Sequence, residues 1–159
     1  MDSLTQAAVG AALAVAVAPM LNRRYARDPE PSPGRRLAGW ALAGAIGGLV
    51  PDLDVLIRSS ADPLLVLQYH RQFTHSLILV PVLGALVALL VTPVLKRTLS
   101  PVERYVSATV GVGTHGLLDA CTSYGTALFW PFADTRIALS IVSIVDPLFT
   151  LPLIALLVF

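Results

Sequence analysis

Residues 70–95 read HRQFTHSLILVPVLGALVALLVTPVL, so a polar turn with two of the three histidines runs directly into a long apolar segment. A helix that crosses a membrane needs about 20 apolar residues, and the stretch Thr74–Leu95 is long enough. Imidazole is the commonest metal ligand and titrates near neutral pH. The stretch therefore predicts a membrane span with candidate ligands, His70 and His75, at its entrance.

The composition of the whole chain agrees with a membrane protein. Of 159 residues, 55% are hydrophobic and 13% charged, with a mean hydropathy of +0.75, whereas soluble domains carry about 25% charged residues. We predict a single all-α domain over residues 1–159, a polytopic membrane helix bundle of about five spans. These spans are Leu4–Leu21, Leu37–Val50, Thr74–Leu95, Tyr105–Cys121 and Ile137–Phe159.

Two further features concern single residues. The lone Cys121 excludes an internal disulfide. Asp146-Pro147 is typical of a helix start, because aspartate caps and proline is tolerated in the first turn. Only 13 residues remain from Pro147 onward, which predicts a chain that is cut short or ends mid-helix.

Charge is distributed unevenly along the chain. Eight of the eleven Lys and Arg residues lie in residues 22–36 and 96–104, whereas the histidines and most aspartates lie in the alternate segments. The positive-inside rule predicts that the basic segments are cytoplasmic and that the histidines face the extracytoplasmic side. Basic runs beside spans indicate contact with anionic membrane lipids rather than with nucleic acid.

Two short motifs could supply metal ligands. Asp52 and Asp54 follow a glycine-rich span and would point the same way in an extended segment, although they could also cap the next helix. His115 and Asp119 are four residues apart, which places both on one helical face within reach of one cation. Asp119 could instead orient His115 from behind through a hydrogen bond.

The candidate ligands outnumber the nearby cationic side chains, so their carboxylates would repel one another without a metal ion. The candidates are Asp52, Asp54, His70, His75, His115, Asp119 and Asp146. Mixed imidazole and carboxylate ligands favour Zn²⁺, with Mn²⁺ or Fe²⁺ as alternatives, and seven ligands suffice for one or two ions. We expect Asp54 or Asp119 to act as a general base, and Arg71 to hold a phosphate or carboxylate or to anchor a lipid headgroup.

Five sequence blocks in chain order resemble the YdjM/YbcI family of inner-membrane, metal-dependent hydrolases, described as LexA-regulated for some members. The blocks are MDSLTQ (1–6), PDLD (51–54), HRQFTHS (70–76), HGLLD (115–119) and Asp146-Pro147, and the resemblance covers nearly the whole chain. It implies a multi-pass bacterial or archaeal protein that binds zinc through the seven residues above. A more distant similarity to zinc-dependent phospholipase C implies a phosphoester substrate. The chain departs from the family at Gln72, where glycine is common, and many relatives extend past its end.

The sequence thus predicts a membrane-embedded hydrolase that attacks a phosphoester or related ester, of a lipid or of a molecule at the membrane surface. The chain contains no GxSxG, HExxH, P-loop or GxGxxG motif. Three alternatives stay open: a non-enzymatic metal-binding or transport protein, an intramembrane zinc amidohydrolase resembling ceramidases, and a structural protein whose His/Asp cluster joins helices. The oligomeric state is left open.

Overall fold

The computed structural model describes residues 1–22, 31–62, 64–65 and 69–158. These residues form six α-helices and no β-strand, which confirms the all-α prediction. The helices are α1 (Ser3–Asn22), α2 (Pro33–Leu49), α3 (Val80–Leu90), α4 (Thr92–Leu95), α5 (Pro101–Ala120) and α6 (Pro147–Val158). Short 3₁₀ segments cover Val50–Leu56, Phe73–His75 and Leu77–Leu79.

The predicted bundle of about five spans is not confirmed. Within the described residues, two helical segments are long and apolar enough to cross a membrane, Ser3–Leu21 and Pro33–Leu56. The predicted third span divides into 3₁₀ turns, α3 and α4, because Pro81 and Pro93 are tolerated in a first helical turn but not in a helix interior. The predicted fourth span, α5, is long enough but carries several ionisable residues.

The core is a three-helix bundle in which α1 runs antiparallel to α2 and α5. The three backbones meet at Gly10, Gly44 and Gly111, where a Cβ on any one would collide with the backbone of a neighbouring helix. Gly48 lies equally close to the backbone of α1. In the sequence, Gly44 and Gly48 form a small-xxx-small pair, which predicts close approach of another helix, and the structure confirms this prediction.

α2 and α5 run in the same direction with a constant register. Arg36 lies beside Glu103, Gly44 beside Gly111, and Gly48 beside His115. Each pair is 67 residues apart, so the same two helices frame both ends of the bundle.

One end of the bundle is built around a buried ion pair. Arg36 donates from Nε and Nη2 to Glu103 Oε1 at 3.0 and 2.6 Å. Glu103 also forms a capping box with Ser100 at the start of α5. The predicted basic turn 96–104 therefore ends at Ser100, and Arg36 is buried in the bundle rather than exposed in a loop. Residues 23–30, which carry the other predicted loop, lie outside the described part of the chain.

Trp40 corrects a further expectation. Its position near the start of the second span predicts a ring at the membrane interface. The structure instead buries it completely in the core, beside Ala14, Ala43 and Leu99. The small side chains around it leave space that a large ring fills.

The last helix begins as predicted. α6 starts at Pro147, and Asp146 Oδ1 accepts a hydrogen bond from the backbone N–H of Phe149 at 3.2 Å. The helix contacts α1 through the hydroxyls of Thr150 and Thr5, which are 2.5 Å apart. The sequence predicts that Asp2 or Ser3 caps α1. Asp2 Oδ1 accepts from the Thr5 N–H at this end of the helix, so Asp2 is the cap.

Candidate metal centre

Two buried histidines face each other at the end of the bundle opposite the ion pair. His75 lies in the 3₁₀ turn Phe73–His75, His115 lies near the end of α5, and their Nε2 atoms are 3.0 Å apart. Both side chains are almost completely inaccessible to solvent.

The other ring nitrogen of each histidine already has a partner. His115 Nδ1 donates to the carbonyl oxygen of Gly48 at 2.5 Å. His75 Nδ1 lies 2.9 Å from Thr74 Oγ1, whose hydroxyl donates to Asp54 Oδ2 at 2.7 Å and must therefore accept from the ring. In the neutral state both Nε2 atoms then carry lone pairs, and these lone pairs point towards each other.

Two carboxylates complete the group. Asp52 Oδ1 lies 3.3 Å from His115 Nε2 and 3.6 Å from His75 Nε2. Asp119 Oδ2 lies 3.4 Å from His75 Nε2 and 3.8 Å from His115 Nε2. Ligand atoms about 2.0–2.1 Å from a tetrahedral zinc are about 3.3–3.4 Å apart. The distances above, from 3.0 to 3.8 Å, lie on both sides of this value.

Local structure explains how these residues meet. His115 and Asp119 share one face of α5, as their spacing predicts. The turn of His75 reaches α5 because Gly116 has no side chain, and a Cβ there would lie 2.5 Å from the carbonyl oxygen of His75.

Asp52 and Asp54 do not lie in an extended segment, contrary to the sequence-based expectation. They lie in the 3₁₀ segment Val50–Leu56, which has about three residues per turn, so side chains two apart diverge. Asp52 faces His75 and His115, whereas Asp54 lies behind the turn that carries His75.

Asp54 already has a full set of donors from the protein. It accepts from His70 Nδ1 at 2.7 Å, from the Arg71 N–H at 3.1 Å and from the Thr74 hydroxyl at 2.7 Å. Asp52, Asp54 and His70 form a second group that could hold a metal by proximity alone. Because its oxygens are satisfied, Asp54 is better suited to fixing the turn than to binding a second ion.

Arg71 is directed at a carboxylate of the site. Its Nε lies 3.2 Å from Asp119 Oδ2, its Nη1 lies 3.5 Å from Thr122 Oγ1, and its guanidinium lies 5.5 Å from the centre of the Tyr124 ring. Its backbone is left-handed (φ 63°), a conformation uncommon outside glycine. Hydrogen bonds from its N–H to Asp54 and from Ala127 N–H to its carbonyl hold it there.

Asp146 is the predicted ligand that the structure does not bring to either group. Its carboxyl caps α6, as described above.

A comparison with known families covers the full length of the chain. The family described as YdjM inner membrane protein matches residues 1–159. The chain belongs to this family. The match confirms the resemblance that the five sequence blocks indicated. No curated protein and no solved structure matches the chain.

Membership of the YdjM family supports a membrane location, with which the two long apolar helices agree. A large apolar side chain is exposed in the loop that follows α5, where Phe132 is 82% accessible. The backbone of this loop forms hydrogen bonds with residues before and after His75 in the sequence. Ala127 N–H donates to the Arg71 carbonyl, and the Leu128 carbonyl accepts from the Leu77 N–H. An apolar pocket of about 360 Å³ lies between Leu77, Leu128 and the aromatic residues of the loop.

A second pocket, of mixed polarity and about 440 Å³, opens onto the candidate metal centre. Asp52, His70 and Arg71 supply its polar lining, and Leu49, Leu53 and Val55 supply apolar lining. Asp52 is the most exposed residue of the four candidate ligands, with 24% of its side chain accessible. A ligand in this pocket would therefore approach the group from the Asp52 side.

Sequence reasoning missed Gln6. It lies in α1, is fully buried, and donates from Nε2 to Asp119 Oδ1 at 3.0 Å. The same oxygen contacts the N-terminal ammonium of Met1. The sequence feature that could have identified it is a glutamine inside a strongly apolar helix, where burying a polar side chain is energetically unfavourable and usually indicates a function.

The carboxylates also change the pKa of His75. Burial alone would lower this pKa, but the neighbouring Asp119 and Asp52 stabilise the charged ring and raise the pKa above its ordinary value. A proton on His75 would therefore add to Arg71 and the Met1 ammonium, which both contact Asp119, in reducing the negative charge of the group.

Proposed function

We propose that the protein is a membrane-embedded, metal-dependent hydrolase of the YdjM family, with zinc held by Asp52, His75, His115 and Asp119. The observation that carries the proposal is the approach of His75 and His115 Nε2 to 3.0 Å while both Nδ1 atoms are engaged elsewhere. When both rings are neutral the two facing lone pairs repel, and a metal ion bound by both would turn the repulsion into two bonds.

The residues present fit a zinc ion in two further respects. Asp119 Oδ2 is buried and accepts no hydrogen bond within the described part of the chain. Its ion pair with Arg71 leaves a lone pair for a metal ion beside the two histidines. Two imidazoles and two carboxylates form a donor set that zinc accepts, with Mn²⁺ or Fe²⁺ as weaker candidates.

Both ligand histidines are also held as ligands usually are. Metal-bound histidines almost always donate their second N–H to a carbonyl or a carboxylate, which fixes the ring. Gly48 does this for His115, and the Thr74 hydroxyl, backed by Asp54, does it for His75.

A bound zinc ion would supply a Lewis acid that activates water for attack on an ester. With four protein ligands, water would have to enter as a fifth ligand or in place of Asp52, the most accessible of the four. The side chains of the protein would then bind and orient the reactants. Asp52 forms the accessible edge of the group, Arg71 holds Asp119 in place, and Asp54 fixes the turn of His75.

The substrate proposed is a phosphoester or related ester at the extracytoplasmic membrane surface, of a lipid or of a molecule bound there. A membrane family, a pocket that combines polar and apolar lining, and the adjoining apolar pocket support an amphiphilic substrate. Lys96 and Arg97 lie beside the start of α5, at the end of the bundle away from the site, which supports the extracytoplasmic orientation.

Metal analysis combined with a hydrolysis screen tests the proposal. Protein purified in detergent should retain about one zinc per chain, and should hydrolyse at least one member of a panel of phosphodiesters, phosphomonoesters, carboxylic esters and acyl amides. His115→Ala should lose both the metal and the activity. The matched control is Ser107→Ala, a buried residue of α5 whose hydroxyl bonds only to the helix backbone.

Three results would contradict the proposal or redirect it. Protein without metal, or His115→Ala with full activity, would exclude a zinc hydrolase. Bound zinc with no hydrolysis of any substrate would favour a non-enzymatic metal-binding protein. Cleavage of acyl amides alone would favour an amidohydrolase.

A further inference from the structure

Gln6 is a buried amide in an apolar helix, and it contacts the first and the last residue of the HGLLD motif, His115 and Asp119. Its Nε2 donates to Asp119 Oδ1 at 3.0 Å and lies 3.5 Å from the carbonyl oxygen of His115. A carboxylate and a carbonyl only accept hydrogen bonds, so the NH₂ group must be the part of the amide that faces them. One side chain of α1 thereby bridges the two residues that α5 contributes to the site.

The bridge determines which oxygen of Asp119 faces the histidines. Oδ1 is occupied by Gln6 and by the Met1 ammonium, so Oδ2 is the oxygen directed at His75 and His115. Without the Gln6 donor, the Met1 ammonium and Arg71 would be the remaining groups that restrain the carboxyl group about its terminal torsion, which has a broad energy minimum.

The amide is poorly explained as a stabilising residue. Gln6 Oε1 is buried and has no donor within the described residues. An unsatisfied buried acceptor destabilises a fold, and an apolar side chain in the same place would avoid that penalty. The N–H contacts to Asp119 and His115 remain as the reason for an amide at this position.

We propose that Gln6 is a positioning residue of the metal centre, which holds Asp119 so that Oδ2 points at the ion. The inference rests on the proposed zinc site and extends it to the first helix. It assigns α1 a direct part in the site although α1 supplies none of the four ligand side chains.

Gln6→Met tests this role, because methionine keeps the volume and removes the donor. Zinc affinity is measured by chelator competition, and the visible absorption of the Co²⁺-substituted protein reports the ligand geometry. We expect zinc affinity to fall about 10- to 100-fold, as it does when other residues that orient metal ligands are lost. The Co²⁺ spectrum should change as well, which a purely structural role would not produce.

Gln72→Met is the matched control. It makes the same replacement in the turn beside His75, at a side chain with no hydrogen bond among the described residues, and should leave affinity and spectrum unchanged. If Gln6→Met does not fold, Gln6→Asn decides the question, because its amide is withdrawn by one methylene and should weaken zinc binding similarly.

The possible failures are distinguishable. Unchanged zinc affinity and Co²⁺ spectrum in folded Gln6→Met or Gln6→Asn would overturn the inference and leave the proposed site intact. Absence of zinc binding in the unsubstituted protein would overturn both.

Discussion

The two ends of the helix bundle both contain buried ionisable side chains, but in different arrangements. At one end, Arg36 and Glu103 pair directly at 2.6 Å, and Glu103 also caps α5. At the other, His75 and His115 direct two lone pairs at the same space, and Asp52 and Asp119 add carboxylate oxygens to it. The same helices, α2 and α5, frame both ends in one register. The first end is complete as protein alone, whereas the second has the donors of a metal site.

The largest expected effect is a loss of stability at the ion-pair end that leaves zinc binding at the other end unchanged. Arg36→Met leaves Glu103 buried without its cation and should lower the free energy of unfolding by about 3–5 kcal/mol, with zinc affinity unchanged in the folded fraction. Denaturant unfolding in detergent and chelator competition measure the two quantities. A loss of zinc affinity in folded Arg36→Met would show that the two ends are not independent.

The next prediction concerns the contact between His75 and α5. Gly116→Ala places a Cβ against the His75 carbonyl and should displace that turn, which should lower zinc affinity by about tenfold, the smaller effect expected when a ligand is moved rather than removed. Gly113→Ala, on the same helix, would contact only Val80 at an ordinary 3.5 Å and serves as the control. Equal zinc affinity in the two variants would contradict the role assigned to Gly116.

The stability of the metal-free protein and its zinc affinity should depend on pH with opposite signs. Because Asp119 and Asp52 raise the pKa of His75, its proton stabilises the metal-free fold at low pH, and this stabilisation is lost as the pH rises through the raised pKa. Zinc needs the neutral ring, so zinc affinity should instead rise over the same interval, which lies above about pH 6.5. Thermal unfolding with and without zinc between pH 5.5 and 8.5 measures both. If the unfolding temperature changes with pH in the same way with and without zinc, His75 is not a ligand.

The two tryptophans give a smaller, optical comparison of the same ends. Trp40 is completely buried near the ion pair, whereas Trp130 lies in the partly exposed aromatic loop beside the site. Lipids brominated near the headgroup should quench the fluorescence of Trp40→Phe, which retains Trp130, more than that of Trp130→Phe. Equal quenching of both variants would remove the loop from the membrane interface.

Local sequence patterns predicted those features that depend on neighbours along the chain. The spacing of His115 and Asp119 placed both on one helical face, Asp146-Pro147 marked a helix start, and the glycines of α2 marked a close crossing. Each depends on fewer than about two helical turns, over which backbone geometry is regular.

The remaining features depend on contacts between distant residues. The basic residues around Arg36 predicted that it lies in a cytoplasmic loop. A local pattern could not reveal its partner Glu103, which is 67 residues away. Gln6 was missed for the same reason, since its acceptor Asp119 is 113 residues away. The prediction of about five spans is not confirmed, because hydropathy does not detect where proline ends one helix and begins another.

X-ray absorption at the zinc edge tests the central claim most directly. The account predicts about four nitrogen and oxygen neighbours near 2.0–2.1 Å, with imidazole scattering from two rings that falls to one ring in any zinc retained by His115→Ala. A zinc environment without imidazole, or scattering that His115→Ala leaves unchanged, would contradict it.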